Sequence, residues 1–331
     1  MSRTCICSSV LPLWRAERIA NRLRARPSGD DEDLTMLERP PPPWHLRTRY
    51  YLSDLLIRAL IRSALVLPLR LRLGLFHGLV AYVAGPVAGY LRLAEANLAY
   101  IFPEMSADER RQLARACLGN AGRTFIEIYH PPSLLERLRD QPMEGPGLAA
   151  MRAARESKQP IMLTTAHFGN YMALNAALEG HGFAFGGLYR DMSNPYFNAH
   201  YVQQFEAFQG PFFARGSQGN RGFLRHLRAG GQLALAVDQH SFEGEVLQFL
   251  GKPALTAVSA AELAIRFGAL LVPAYAIRQK DGTRFRCIVE APIPHSDPKT
   301  MMQAVNDSIS AQIRAHPEQW LWFHRRWRPE G

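Results

Sequence analysis

The sequence predicts an α/β fold, a mixed and largely parallel sheet covered by helices, with an N-terminal amphipathic helical region of the membrane-binding kind. Three observations carry that prediction. From residue 159 onward short apolar runs alternate with amphipathic stretches, the rhythm of βαβ units. Before that point apolar residues recur at helical spacing without a strand pattern. The chain has 331 residues, 47% of them apolar, enough to bury a sizeable core.

Residues 1–44 differ in composition from the rest. They hold the acidic run Asp30-Asp31-Glu32-Asp33, a proline run at 40–43 and an Arg-rich stretch at 14–26. This is the composition of a mostly disordered leader, or of a translation start upstream of the functional one. No uninterrupted apolar stretch follows the first Arg and no clean cleavage site appears, which argues against a signal peptide.

Residues 45–145 are predicted to form a helical, membrane-associating region with helices at 53–67, 73–91, 106–128 and 133–139. Arg58, Arg62, Arg70 and Arg72 punctuate an otherwise apolar run. Both an interfacial helix whose Arg heads meet lipid phosphates and a core-packing amphipathic helix satisfy that pattern. Residues 73–91 have the length of about 20 that a bilayer crossing needs. They contain His77, Pro86 and four glycines, which makes the stretch a borderline span. Ser106-Ala107-Asp108-Glu109 is a capping-box signal for the third helix.

Residues 146–331 are predicted to form the α/β domain. Strands are expected at 160–166, 183–189, 232–237, 269–278 and 284–290, and helices at 171–178, 195–208, 220–228, 258–267 and 299–315. In such folds ligands bind at the carboxyl ends of the strands.

Composition narrows the function classes. The 39 Lys and Arg against 29 Asp and Glu give a formal charge of +10, and only Lys158, Lys252, Lys280 and Lys299 are lysines. Genomic composition bias accounts for that, and so does a need for guanidinium contact with phosphates and anionic head groups. The Arg residues are mixed into apolar faces and no nucleic-acid module is recognisable, so nucleic acid is not an expected partner. Cys5, Cys7, Cys117 and Cys287 are too few and scattered for a disulfide framework or a four-ligand zinc site, which suggests a reduced, cytoplasmic-side protein. His167, His181, His240 and the other histidines lack ligand spacing, so no metal is expected.

The most informative point is the end of the first long strand, where 161–166 runs into His167-Phe168-Gly169-Asn170-Tyr171. An imidazole at a strand-to-turn junction can serve as general base on a hydroxyl, because its ordinary pKa lies near neutrality. A structural hydrogen bond is the competing use of the same residue.

Thr165-Ala166-His167-Phe168-Gly169-Asn170-Tyr171 resembles the first motif of the bacterial lipid A biosynthesis acyltransferases, the lauroyl and myristoyl transferases of the lysophospholipid acyltransferase superfamily. The resemblance spans about residues 45–328. Asn97-Leu98, Phe102-Pro103 and Phe125-Ile126-Glu127 are similar to the family's N-terminal region. Tyr189-Arg190 with Asn194-Pro195-Tyr196 resembles its second block, and Asp238-Gln239 followed by residues 249–256 its third. Leu271-Val272-Pro273 and residues 317–327 are similar to its closing blocks.

The resemblance implies transfer of a fatty acyl chain from acyl carrier protein to a hydroxyl of a lipid A precursor or related glycolipid, at the cytoplasmic face of the inner membrane and without a further cofactor. It implies His167 as general base and Arg190, Asn194, Asp238 and Gln239 as substrate-binding residues. For Asn194 a helix cap, and for Asp238 a turn-forming role, account for the residue equally well. Arg325, Arg326 and Arg328 with Trp320, Trp322 and Trp327 suit either an interface or a packed core.

One position departs. Met172 stands where the family has the Asp or Glu that orients the histidine, and a thioether can neither orient an imidazole nor stabilise its cation. Either another acid takes the role, or the chain is an impaired or silent lipid-binding relative, or Met172 is a natural or engineered substitution in an otherwise active chain. Glu179 points elsewhere by helical periodicity, whereas Asp191 and Asp238 come from other blocks and remain open.

Overall fold

The computed structural model describes residues 44–327. The leader expected at 1–44, apart from Trp44, lies outside the described residues, as do Cys5, Cys7 and Arg328.

The chain enters through α1 (Trp44–Leu65) and α2 (Leu69–Leu79), which continues through a π-helical turn at Val80–Ala84 and a last helical turn at Gly85–Val87. It then turns sharply into α3 (Tyr90–Ile101). The single helix expected at 73–91 is therefore broken, with an angle of 89° between the two pieces. Gly89 supplies the break by taking φ +81°, which side chains with a Cβ resist. Pro86 lacks an amide proton and crowds the preceding turn, which fits a π-helical adjustment just before it. Among the described residues no single helix is long and apolar enough to cross a membrane.

Next come α4 (Ala107–Ile128), α5 (Pro131–Leu138), β1 (Met143–Glu144) and α6 (Gly147–Glu156). Ser106 caps α4 as its sequence predicts: its hydroxyl accepts from Glu109 N, and the Glu109 carboxylate accepts from Ser106 N.

The α/β part runs β2 (Ile161–Thr165), α7 (Tyr171–Gly180), β3 (Gly186–Tyr189), α8 (Pro195–Gln203), β4 (Phe212–Ala214), α9 (Ser217–Arg228), β5 (Gln232–Ala236), β6 (Glu245–Phe249), β7 (Lys252–Thr256), α10 (Ser259–Phe267), β8 (Leu270–Arg278), β9 (Phe285–Val289) and α11 (Pro298–Ala315). The helix expected at 195–208 tightens into a 3₁₀ turn at Gln204–Ala207. The strand expected at 183–189 begins only at Gly186.

Seven strands make one sheet in the order β1-β9-β8-β2-β5-β3-β4. The five contiguous strands from β8 to the β4 edge run parallel, and β9 pairs antiparallel with β8. The result is the mixed, largely parallel sheet that the apolar runs imply, because strands covered on both faces need apolar residues throughout. Side chains alternate across it. Met162, Leu271, Tyr275 and Ile277 face one core, shared with α3, α4, α9, α10 and α11. Ile161, Leu163, Val272, Ala274 and Ala276 face a second, closed by α5, α6 and α7.

The hairpin β6–β7 has no counterpart among the sequence expectations. Its two-residue turn, Leu250-Gly251, has both φ values positive, at 54° and 83°. That turn usually announces itself as Asn-Gly or Asp-Gly, a signal Leu250 does not give. Here α11 holds it instead, with Ser310 Oγ accepting from Leu250 N at 3.0 Å and Arg314 donating to Leu250 O at 3.0 Å.

The C-terminal segment is core. Trp320, Trp322 and Trp327 are buried against one another and Phe249, and Arg326 is wholly buried, donating to Leu255 O and Thr256 Oγ1. Arg325 is exposed. Asn97 on α3 ties this segment down, its Nδ2 donating to Trp322 O and His324 O at 2.7 Å each. Asn97→Leu keeps the number of side-chain heavy atoms and leaves Trp322 O without its donor, while His324 O still accepts from Arg326 N. The expected loss is about 1–3 kcal/mol of stability, read as a lower urea midpoint with an unchanged slope.

Candidate active site

The parallel sheet brings the carboxyl ends of β2, β5, β3 and β4 into a row, and each end carries a polar side chain. His167 follows β2, Asp238 and Gln239 follow β5, Arg190 follows β3 and Arg215 follows β4. The register is continuous through the row, since Val237 N donates to Thr165 O at 3.1 Å and Arg215 N to Tyr189 O at 2.8 Å. The order of strands in the sheet places β5 between β2 and β3, so residues 71 apart become neighbours.

Asp238 is 1% exposed and holds three groups. One oxygen lies 2.8 Å from His167 Nδ1; the other accepts from His167 N at 2.9 Å and from the Trp320 indole at 2.8 Å. Burial works against its charge, but the His167 imidazole and these donors outweigh it and hold the pKa at about 2. With a carboxylate on Nδ1, the imidazole carries its proton there and leaves Nε2 as acceptor, a tautomer assigned from the network. Nε2 is turned toward Gln239, whose amide nitrogen is 3.5 Å away. The Tyr171 ring meets the His167 ring edge-on at 5.7 Å.

The turn carrying His167 is fixed from several sides. Gly169 takes φ +57°, and a Cβ there would lie 1.9 Å from Ala276 O, so close approach to β8 requires glycine. Gly169 N donates to Gln319 O at 3.0 Å and Asn170 N to Ala276 O at 3.2 Å. Asn170 Oδ1 caps α7 by accepting from Met172 N and Ala173 N, while its Nδ2 donates to Glu127 at 2.9 Å. Glu127 in turn accepts from Arg278 at 2.6 Å and Arg137 at 3.2 Å, so its buried charge is paired on both oxygens.

A cavity of about 250 Å³ opens at this row. Its polar lining includes His167, Asn175, Arg190, Arg215 and Gln239; its apolar lining includes Leu163, Met172, Leu178, Phe185, Phe205 and Phe212. Burial and the neighbouring Arg190 charge lower the pKa of Arg215. Such paired guanidiniums make an electropositive site suited to an anion.

The residues singled out in sequence divide clearly. His167, Arg190 and Gln239 line one cavity, with Asp238 directly behind the histidine. Asn194 is not among the residues lining it. Its Oδ1 caps α8 through Tyr196 N and Phe197 N, and its Nδ2 donates to Tyr50 O and Ser53 Oγ on α1. Met172 is 3% exposed, packed in the second core against the cavity. Of the other candidate acids, Asp191 accepts from Asn198 at the surface and Glu179 from Gln209 N.

Arg215 and the indole of Trp320 are site residues that sequence reasoning missed. Phe212-Phe213-Ala214-Arg215 repeats on a smaller scale the apolar step into Arg that ends β3 at Tyr189-Arg190, which is the signal that could have found the first. Trp320 is separated from Asp238 by 82 positions, and nothing local announces the contact.

His324 adds a pH-sensitive group beside the site. Its Nε2 accepts from His240 N at 3.3 Å, and burial, only partly offset by the Asp238 charge, lowers its pKa from 6.5 to about 4. Between those values the unfolded chain takes up a proton that the folded chain refuses, so stability falls as pH drops from about 6.5 to about 4. His77, His130, His200 and His226 are also lowered by burial and share this trend. His324→Gln keeps an acceptor and removes one titration, so urea midpoints measured across that window should decline less steeply than in the parent.

The description of residues 41–329 as a bacterial lipid A biosynthesis acyltransferase by the matching family model agrees with this geometry. A lipid A biosynthesis lauroyltransferase of Escherichia coli strain K12 is 28% identical over 249 residues, 72% of this chain and 80% of that protein. A lipid A biosynthesis acyltransferase of Haemophilus influenzae is 22% identical over 283 residues, 84% and 88% of the two chains. A lipid A biosynthesis palmitoleoyltransferase of Escherichia coli strain K12 is 25% identical over 251 residues, 72% and 79%. With the motif blocks in order and the match extending over most of its length, the chain belongs to the family of bacterial lipid A biosynthesis acyltransferases.

Proposed function

We propose that this acyltransferase moves a fatty acyl chain from an acyl carrier protein thioester to a hydroxyl of a lipid A precursor or related glycolipid, at the cytoplasmic face of the inner membrane. The observation that carries the reading is the His167–Asp238 pair at the mouth of an apolar cavity.

His167 Nε2 takes the proton of the acceptor hydroxyl as its oxygen attacks the thioester carbonyl, and Asp238 stabilises the imidazolium that results. When the tetrahedral intermediate collapses, the carbon–sulfur bond breaks and the imidazolium returns its proton to the departing thiolate. The acyl chain lies along the apolar lining, and Arg190 with Arg215 meets phosphate or developing negative charge at the mouth. Asp238 supplies what Met172 cannot. The silent, lipid-binding reading drew its support from Met172, and a carboxylate already on Nδ1 removes that support.

Acyl transfer from lauroyl-acyl carrier protein to a lipid A precursor in mixed micelles tests the pair. His167→Ala should abolish turnover. Asp238→Asn should lower it by roughly 10³–10⁴-fold, by analogy with the orienting carboxylate of serine proteases. Met172→Asp should bring no increase, because Nδ1 is already occupied. A folded Asp238→Asn protein with the parent rate would remove Asp238 from the mechanism.

The surface of α1 and α2 supports membrane docking. Leu52, Leu56, Leu71, Leu75 and Val87 are exposed, Val87 to 86%, among the exposed Arg47, Arg62 and Arg70. Exposed apolar side chains interleaved with Arg suit insertion into the headgroup boundary, and the bent helix pair suits a position in the interface rather than a crossing. Leu56→Glu, Leu71→Glu and Val87→Glu together should abolish co-sedimentation with phosphatidylglycerol vesicles while leaving the far-UV spectrum intact. Retained sedimentation would rule out this face.

A further inference from the structure

The cavity that opens at His167 follows one face of α7. Tyr171, Asn175 and Leu178 recur on that face at spacings of four and three, and all three line the cavity. Tyr171 touches the His167 ring at the mouth, and Leu178 lies two turns further along. Between them stands an amide. The cavity lining also includes Leu163, Leu174, Leu178, Phe185 and Phe205, so Asn175 stands in a wall made largely of hydrocarbon.

Its carboxamide makes no hydrogen bond with another described residue. The contrast with the neighbouring asparagines is sharp. Asn170 uses both ends of its side chain to cap α7 and bind Glu127, and Asn194 uses both ends to cap α8 and bind α1. An amide held in an apolar wall is penalised against a plain hydrocarbon chain and satisfied by a ligand that presents a hydroxyl. Leu at the same position would complete the wall with the same number of side-chain heavy atoms, and it would recognise nothing polar.

The position along the helix limits where such a hydroxyl sits. Asn175 is one turn, about 6 Å along the axis, beyond Tyr171. Since Tyr171 contacts His167 and the thioester carbonyl must sit within reach of His167 Nε2, the amide lies beside the first few carbons after the carbonyl.

We infer that Asn175 is a specificity residue and that the acyl donor of this enzyme carries a hydroxyl near its carboxyl end. Asn175 Oδ1 accepts from that hydroxyl and Nδ2 donates to its oxygen. The inference rests on the acyl-transfer reading and names its donor class.

The experiment is a competition in detergent micelles with the full chain and one lipid A precursor. Equal amounts of dodecanoyl-acyl carrier protein and a dodecanoyl donor hydroxylated at carbon 2, 3, 4 or 5 compete, and mass spectrometry reads the product ratio. The parent should prefer at least one hydroxylated donor by roughly tenfold in kcat/KM. Asn175→Leu should lose that preference and gain on the plain donor; Asn175→Ala, which needs no added volume, should lose the preference as well. A parent that takes all donors equally or prefers the plain chain overturns the inference while leaving acyl transfer intact, and so does a leucine variant that keeps the parental ratio. Failure to transfer any donor overturns the acyl-transfer reading itself, and the inference with it.

Discussion

A single buried carboxylate organises the site. Asp238 is charged, almost wholly enclosed and bonded to the backbone and ring of His167 and to the indole of Trp320. A carboxylate in that position is costly unless its oxygens are satisfied, and three donors from two distant segments satisfy it. The same contacts fix the ring's orientation, select its tautomer and join the β2 and β5 ends to the C-terminal segment.

A second buried carboxylate supports the same turn from the opposite side. Glu127 reaches from α4 to Asn170 and is held by Arg278 and Arg137. Removing either partner of such a network leaves a charge without compensation, so the network ties together the elements it joins. The helical N-terminal part is therefore joined through α4 to the turn that carries His167. Its remaining exposed face is apolar and basic, which places the proposed membrane surface and the cavity mouth on one continuous molecule.

The cavity separates two kinds of chemistry by distance from the sheet edge. At the strand ends, backbone polarity and guanidinium charge favour anions and a reacting hydroxyl. Along α7 the lining is largely hydrocarbon, which in the proposed reaction would exclude water from the acyl chain and its thioester. Asn175 is the exception along that path.

The sequence alone determined the strand and helix rhythm, the capping of α4 by Ser106 and the position of His167 at the end of a strand. These are local, since periodicity, capping and a polar residue at a strand end are written within a few neighbouring positions. Ordered motif blocks were also sufficient to point to the family. The partner of His167 was not legible. The sequence offered Met172 as the vacant acid position and left Asp191 and Asp238 equally open. Only insertion of β5 between β2 and β3 sets Asp238 on Nδ1, while Asp191 ends at the surface on Asn198. For the same reason Asn194 resolved into a cap, Arg215 joined Arg190 and the C-terminal tryptophans became core. Each outcome depends on contacts between residues far apart in the chain, and the order of strands in the sheet decides them, not the spacing of residues along it.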